Sequence, residues 1–255
     1  MGQAIINGLL SNNVMSRGKI YIYDIKPAKI SRLVRKYGIS RTGSYEDMLG
    51  RVDIVVLAVK PQDSVIVFEK LRGHVDSRIA VLSIMAGIRI SKIGAYMEKD
   101  IDIARAMPNM GALIGRSVSA VSFSRGFKKV KKDYVKRILG SIGNVYEMRE
   151  NMLDAVTALS GSGPAYFFYI VESMMAAARE YGFSEDLARE IVLGTMEGSS
   201  ELLRSTGSNA KELRDRVTSK GGTTAQAIRL FEESGLRDII ARGIEAARAR
   251  AKELS

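Results

Sequence analysis

Apolar and polar positions follow two different rhythms along this chain. In the first half, short apolar runs alternate with amphipathic helical patterns. Residues 2–12 place Ile5, Ile6, Leu9 and Leu10 on one helical face, and Lys19 to Asp24 (KIYIYD) then reads as a strand ending in an acid. Pro27 suits the first turn of a helix that continues to about Tyr37. Asp53 to Pro61 (DIVVLAVKP) has a near-continuous apolar centre, as expected of a strand covered on both faces. A helix over 63–72 and a third apolar strand, Ile79 to Ile84, follow. Further strands are predicted at 103–107, 117–123 and 144–148. This β-α-β spacing with short loops predicts an α/β, doubly wound nucleotide-binding domain over residues 1–149.

From 150 to 255 the pattern is helical, with almost no strand signal. Pro164, after Ser160-Gly161-Ser162-Gly163, opens a helix running to about Tyr181, and Ser184 caps another reaching about Leu203. Asn209 and Glu212 have capping-box spacing. Helices over Thr224 to Glu233 and from Leu236 towards Lys252 complete the region. Small residues such as those of MMAAA and IEAARARA permit close helix packing. A helical domain of this modest size, with long apolar helices, is what an oligomer interface needs.

Composition narrows the possible functions. Of the 255 residues, 46% are hydrophobic and 26% charged, ordinary values for a soluble globular chain. No apolar run reaches the ~18 residues of a membrane span, and the first residues lack the features of a signal peptide. With no cysteine there is no disulfide, thiolate nucleophile or cysteine-held metal, and a reducing cytoplasm is compatible. The lone His74 reads as a surface or turn residue, so no metal site and no histidine-based triad are expected.

The net charge of +11 could attract anions, but Lys128, Lys129, Lys131 and Lys132 read as the solvated face of a helix. The apolar face of that helix would be Val130, Tyr134, Val135 and Leu139. Nothing resembling a nucleic-acid-binding signature accompanies them, so no nucleic acid and no membrane is expected as a partner.

Parallel α/β sheets bind ligands beyond the carboxyl ends of their strands. On that rim Asp24 is placed to bond ribose hydroxyls, its interval back to Gly2 matching the ~20 residues usual for such an acid. Lys26 and the basic surface could equally accommodate a 2′-phosphate, and Asp24 could be an ordinary strand-end acid. Ala58-Val59-Lys60-Pro61 would bring a lysine to a phosphate or acidic substrate, on a turn that Pro61 stiffens. Ser83 to Gly87, with Ala86 and Gly87, lets a flat ring approach the backbone, and Pro108-Asn109 ends a further strand on the same rim. In the helical half, Ser160 to Pro164 and Thr218 to Thr224 (TSKGGTT) both lead into helices, where free amides and hydroxyls bind anions. Simple turns are the alternative at each of these places.

DAVTALSGSGPAYFF (154–168) and VTSKGGTTAQAI (217–228) resemble the two signature segments of the pyrroline-5-carboxylate reductase family. VVLAVKPQ, SIMAGI and RAMPN are similar to its cofactor-side segments, in the right order, and the resemblance covers essentially the whole chain. It implies a Rossmann-like domain and a helical dimerisation domain over 150–255. It also implies NADPH- or NADH-dependent reduction of the C=N bond of 1-pyrroline-5-carboxylate to L-proline in the cytoplasm. A homodimer, assembling further into a ring of dimers and building its site across the dimer, follows from the same resemblance.

By the match, Gly2, Asp24, Ala58, Val59, Lys60, Pro61, Ala86, Gly87 and Asn109 are cofactor-side positions. Lys220, Gly221, Gly222 and Thr223 would hold substrate, and Thr224 and Ser219 would be catalytic, Thr224 orienting the ring nitrogen. Another imine or β-hydroxyacid-type reductase, or a catalytically impaired homologue, shares the two-domain plan. Lys220, Met110-Gly111 and Asn209-Ala210 depart from the family's usual proline, threonine-proline and histidine-proline, which bears on loop geometry and substrate affinity.

Met1-Gly2 matches only the end of the family's G-x-G-x-x-G fingerprint, so a first strand and two glycines are missing from this chain. That strand is central in a doubly wound sheet, and its loss exposes the edges of both neighbours. A start assigned to an internal methionine would account for this. A chain that truly begins there would bind its cofactor weakly.

Overall fold

The structure is a computed structural model and describes residues 1–97 and 101–253. It packs as two units, Met1–Pro164 with the chain end from Ala247, and Ala165–Ala246.

The first unit begins with α1 (Gly2–Ser11), β1 (Tyr21–Ile22), α2 (Pro27–Tyr37), β2 (Ser40–Arg41) and α3 (Tyr45–Leu49). Next come β3 (Ile54–Leu57), α4 (Ser64–Leu71), β4 (Ala80–Ser83), α5 (Ile90–Met97), β5 (Asp102–Met107), β6 (Ser117–Phe123), α6 (Lys129–Gly140) and β7 (Gly143–Glu147). A short α7 (Leu153–Val156) then runs into a π-helical turn, Thr157–Gly161. β1 and β2 pair in parallel as one sheet; the second sheet has the order β3-β4-β5-β6-β7. Within it β6 runs antiparallel to β5, and the other pairings are parallel.

Strand periodicity explains how both faces of the larger sheet are filled. Ala80, Leu82, Ala104 and Ala106 point to one side, where they meet Ile5 and Leu9 of α1, Leu33 and Tyr37 of α2, and Val135, Ile138 and Leu139 of α6. Val55, Leu57, Val81 and Ile103 point to the other side, against Phe68 and Leu71 of α4 and Ile93 and Met97 of α5. Burying a side chain as fully as Phe68 contributes about 1.5–3 kcal/mol.

Three expectations are corrected here. The first strand is shorter than Lys19 to Asp24 because Arg17–Lys19 form a 3-10 turn ahead of it. The strand at Asp53 to Pro61 stops at Leu57, since Pro61 opens another 3-10 turn and leaves Ala58, Val59 and Lys60 exposed on the rim. On α6, Val130 (67% exposed) and Tyr134 (47%) face outward, and Val135, Ile138 and Leu139 are the buried stripe. Neighbouring lysines set that orientation. Lys131 pairs with the buried Asp102 at 3.0 Å, and Lys128 and Lys131 both donate to the Ser77 carbonyl. Part of the basic cluster is therefore anchored rather than solvated. His74 lies exposed in a turn, 3.5 Å from Glu46.

The second unit takes up most of α8 (Gly163–Glu180), with α9 (Glu185–Thr206), α10 (Ala210–Arg216), α11 (Thr223–Glu233) and most of α12 (Leu236–Glu253). The caps are those the sequence predicts: Ser184 accepts from the Leu187 amide, and Asn209 and Glu212 form a complete capping box. Among the described residues, Ala188 and Val192 are its only buried hydrophobic side chains. Phe167, Phe168, Tyr169 (71% exposed), Ile170, Leu202, Phe231 and Ile240 all lie open. So much apolar surface on one unit marks it as a surface for association. Among the described residues no helix is long and apolar enough to cross a membrane.

Candidate active site

The rim of the first unit gathers most of the predicted cofactor positions. Gly2 starts α1, and a Cβ there would lie 3.2 Å from the Ala58 Cβ, so helix start and β3 rim are in close approach. Ala4 and Ile5 donate the first bonds of α1 to the Met1 carbonyl, which leaves the Gly2 and Gln3 amides at the helix mouth. No acid occupies that first turn. Such a helix start favours an anion, and the exposed Lys60 beyond β3 forms no ion pair among the described residues.

Asp24 follows β1 and is engaged from two sides. Its carboxylate accepts from the Lys26 amide (3.0 Å) and from the Lys29 ammonium. Burial raises its pKa, but the hydrogen bonds from Lys29 and Lys26, together with their charges, outweigh burial and hold it below the usual carboxylate value. The neighbouring Tyr45 phenol is pushed up by burial and by Tyr23 and Asp24; the Tyr23 and Tyr45 rings lie 4.2 Å apart.

Ser83 ends β4 and its Oγ accepts from the Met85 amide, leading into Ala86 and Gly87. Asn109 stands two residues beyond the end of β5. Its Oδ1 accepts from the Gly111 and Val118 amides, and its Nδ2 donates to Ser160 Oγ at 3.1 Å. Ser160 lies in the π-helical turn, where Ser162 N–H donates to the Thr157 carbonyl (2.8 Å). Ser160 and Gly161 thus end a π-helical turn, Ser162 links it to α8, and Gly163 and Pro164 open α8 as the sequence predicts.

The second unit holds the other glycine-rich segment. The Thr218 hydroxyl is committed to the Arg214 carbonyl (2.6 Å). Gly221 has φ +74°, a conformation that favours glycine, and the Gly222 Cα lies close to Ser219, whose Oγ would be 2.5 Å from an added Cβ. In α11 the first intrahelical bond is donated by Gln226 to the Gly222 carbonyl (3.2 Å), which leaves the Thr223, Thr224 and Ala225 amides ahead of it. There is no side-chain cap and no acid in this first turn. The hydroxyls of Ser219, Thr223 and Thr224 make no hydrogen bond among the described residues. Lys220 is exposed beside them. Chemically such a helix start can hold a small anion, with free hydroxyls next to it.

Sequence reasoning missed a buried ionic cluster behind the rim. Arg105, 3% exposed, pairs with Asp154 at 2.9 Å and with Glu150 at 3.5 Å. A signal was present: an arginine inside the apolar strand Ile103 to Met107 must find buried acid partners, and Glu150 and Asp154 stand four residues apart. Among the described residues no three His, Asp or Glu side chains converge on a metal position.

Comparison with known proteins matches the two parts of the chain to different family models. Residues 150–254 match the family model for pyrroline-5-carboxylate reductase dimerisation, and residues 1–87 match that for NADP oxidoreductase, coenzyme F420-dependent. Pyrroline-5-carboxylate reductase of Aquifex aeolicus is 35% identical over 100% of this chain and 94% of its own length. Pyrroline-5-carboxylate reductase 1 of Bacillus subtilis is 30% identical over 100% of this chain and 86% of its own. The solved pyrroline-5-carboxylate reductase of Coxiella burnetii superposes with a TM-score of 0.91 at 31% identity, covering 100% of this chain and 94% of its own. That of Plasmodium falciparum, solved with NADP bound, gives 0.91 at 27% identity with the same coverage.

Proposed function

The chain belongs to the pyrroline-5-carboxylate reductase family, and on that premise we propose that it reduces the C=N bond of 1-pyrroline-5-carboxylate to L-proline, the last step of proline biosynthesis. The observation that carries this reading is the uncapped, acid-free start of α11 with its uncommitted Ser219 and Thr224 hydroxyls. The substrate is a small cyclic imine bearing one carboxylate, and this cradle suits it. The Thr223 to Ala225 amides, Gly221, Gly222 and Lys220 hold the carboxylate, and Ser219 orients the ring. Thr224 Oγ1 accepts a hydrogen bond from the protonated ring nitrogen. A cyclic imine is basic enough to enter already protonated, so the chemistry needs no histidine acid.

NADPH or NADH supplies the hydride when bound. The Gly2 helix start, Ala58, Val59, Lys60 and Pro61 would take its phosphates, and Ala86, Gly87 and Asn109 would line its ring. Asp24 would select between the two cofactors at the ribose. Asp24→Asn removes the charge that opposes a 2′-phosphate while keeping a hydrogen-bonding side chain. The ratio of kcat/KM for NADPH to that for NADH is expected to rise about tenfold, corresponding to about 1.4 kcal/mol. Steady-state rates with each cofactor check this, and an unchanged ratio would remove Asp24 from cofactor selection.

The family's dimerisation domain and the open apolar side chains of the helical unit support a homodimer, with a ring of dimers as its larger assembly. The proposed compartment is the cytoplasm. The deciding assay mixes purified protein with 1-pyrroline-5-carboxylate and NADH or NADPH, and follows loss of reduced cofactor and appearance of L-proline. Turnover of another cyclic imine or of a β-hydroxyacid, with none of 1-pyrroline-5-carboxylate, would overturn the reading.

A further inference from the structure

We propose that Arg105 and Glu150 are positioning residues for hydride transfer, acting from behind the rim without touching substrate or cofactor. The inference rests on the reductase reading above. Arg105 sits on β5 in register with Ser83 of β4, the residue that leads into the Ala86-Gly87 loop. At 3% exposure its guanidinium cannot meet a ligand and can act only through its partners.

Those partners reach three pieces of the rim. Glu150 Oε1, which faces Arg105, also accepts from the Ile90 amide at 2.7 Å, and so holds the start of α5 directly after the Ala86-Gly87 loop. Asp154, on α7, ties Arg105 to the helix that winds into the π-turn carrying Ser160. Ser160 Oγ in turn accepts from Asn109, two residues beyond Arg105's own strand. One buried cation thus joins the loop after β4, the rim after β5 and the π-turn.

Stability alone does not call for this arrangement, because a packed apolar side chain commonly holds a core as well as a buried ion pair does. What the ionic cluster adds is direction. Its hydrogen bonds fix where each segment stands, and hydride transfer depends steeply on placement. π-Turns, moreover, occur often at functional sites.

The experiment centres on Glu150, which is partly exposed, so its variants should fold. Glu150→Ala removes the acceptor for the Ile90 amide; Glu150→Gln keeps an acceptor oxygen and loses only the charge. In the full chain, Glu150→Ala is expected to lower kcat on the order of tenfold with KM for the imine little changed. The primary isotope effect with deuterated cofactor should increase, and Glu150→Gln should recover most of kcat. Arg105→Met should lower kcat at least as far, where it folds.

Hydrogen exchange gives a readout that needs no turnover: the amides of residues 84–90 should exchange faster in Glu150→Ala and unchanged in Glu150→Gln. Unchanged kcat and isotope effect, or equal loss in both Glu150 variants, would overturn the proposal. An exchange pattern that ignores the substitution would do so as well. A parent protein that turns over no 1-pyrroline-5-carboxylate counts against the proposed function, while the exchange comparison still decides whether Glu150 holds the loop.

Discussion

Thr224→Ala is expected to lower kcat/KM for 1-pyrroline-5-carboxylate about 10- to 100-fold, because a hydrogen bond to a charged group is worth about 1.5–3 kcal/mol. Thr224 lies in the first turn of α11 with its hydroxyl uncommitted. In the proposed complex that hydroxyl meets the protonated ring nitrogen, and alanine leaves the nitrogen without that partner. Thr224→Ser should restore most of the rate, since serine supplies the same acceptor. Cofactor affinity should stay within about twofold, because the loss falls on the other reactant. Steady-state kinetics on the three proteins and a cofactor titration check the prediction. A change of less than about threefold in the alanine variant would remove Thr224 from the reaction.

The second large effect is on stability. Gly143 begins β7 with φ +146°, opposite Ser117 of β6. A Cβ there would lie 2.2 Å from the Ser117 carbonyl oxygen and 2.3 Å from its nitrogen. These are backbone atoms of a paired strand, and the Ser117 amide is also bonded to Ile142. Neither can yield without breaking the ladder. Gly143→Ala should cost about 3 kcal/mol or more and lower the melting midpoint by about 6–12 °C. Gly140→Ala, three residues earlier at the end of α6, meets nothing within 4 Å and should be neutral or mildly stabilising. Thermal melts followed by circular dichroism separate the two; equal midpoints would show that the β6–β7 junction relaxes.

Elements governed by near neighbours were legible in the sequence. Pro27 opens α2 and Gly38 closes it at φ +66°; the strand at 117–123 has the predicted limits; the capping box at Asn209 is complete. In each case the deciding residues lie within a few positions of one another. Where a distant contact decides, reading fell short. Val130 and Tyr134 fit an apolar helical face, yet α6 turns them outward because Lys131 is drawn to Asp102, 29 residues away. The glycines of Ser160 to Pro164 suggest a simple turn ahead of the helix at Pro164, but packing against Met107 and the bond to Asn109 leave Ser160 and Gly161 wound in a π-turn before Gly163 opens α8. The antiparallel pairing of β6 with β5 had no local signal either.

The candidate site divides in the same way. The sequence by itself determined the chemical inventory: an acid after the first observed strand, a lysine-proline rim turn, and a hydroxyl- and glycine-rich helix start. Motif order also determined the family resemblance. Only the tertiary structure decided which of these groups are committed and which are free. Asp24 is bound to Lys29 and Thr218 to Arg214, whereas Ser219 and Thr224 are left open. Only the fold, too, revealed Arg105 as the anchor of three rim segments, since its partners stand 45 and 49 residues along the chain. Local propensity is written in residues one to four apart, but the pairing of a buried charge is settled by whichever acids the packed sheet and helices bring beside it.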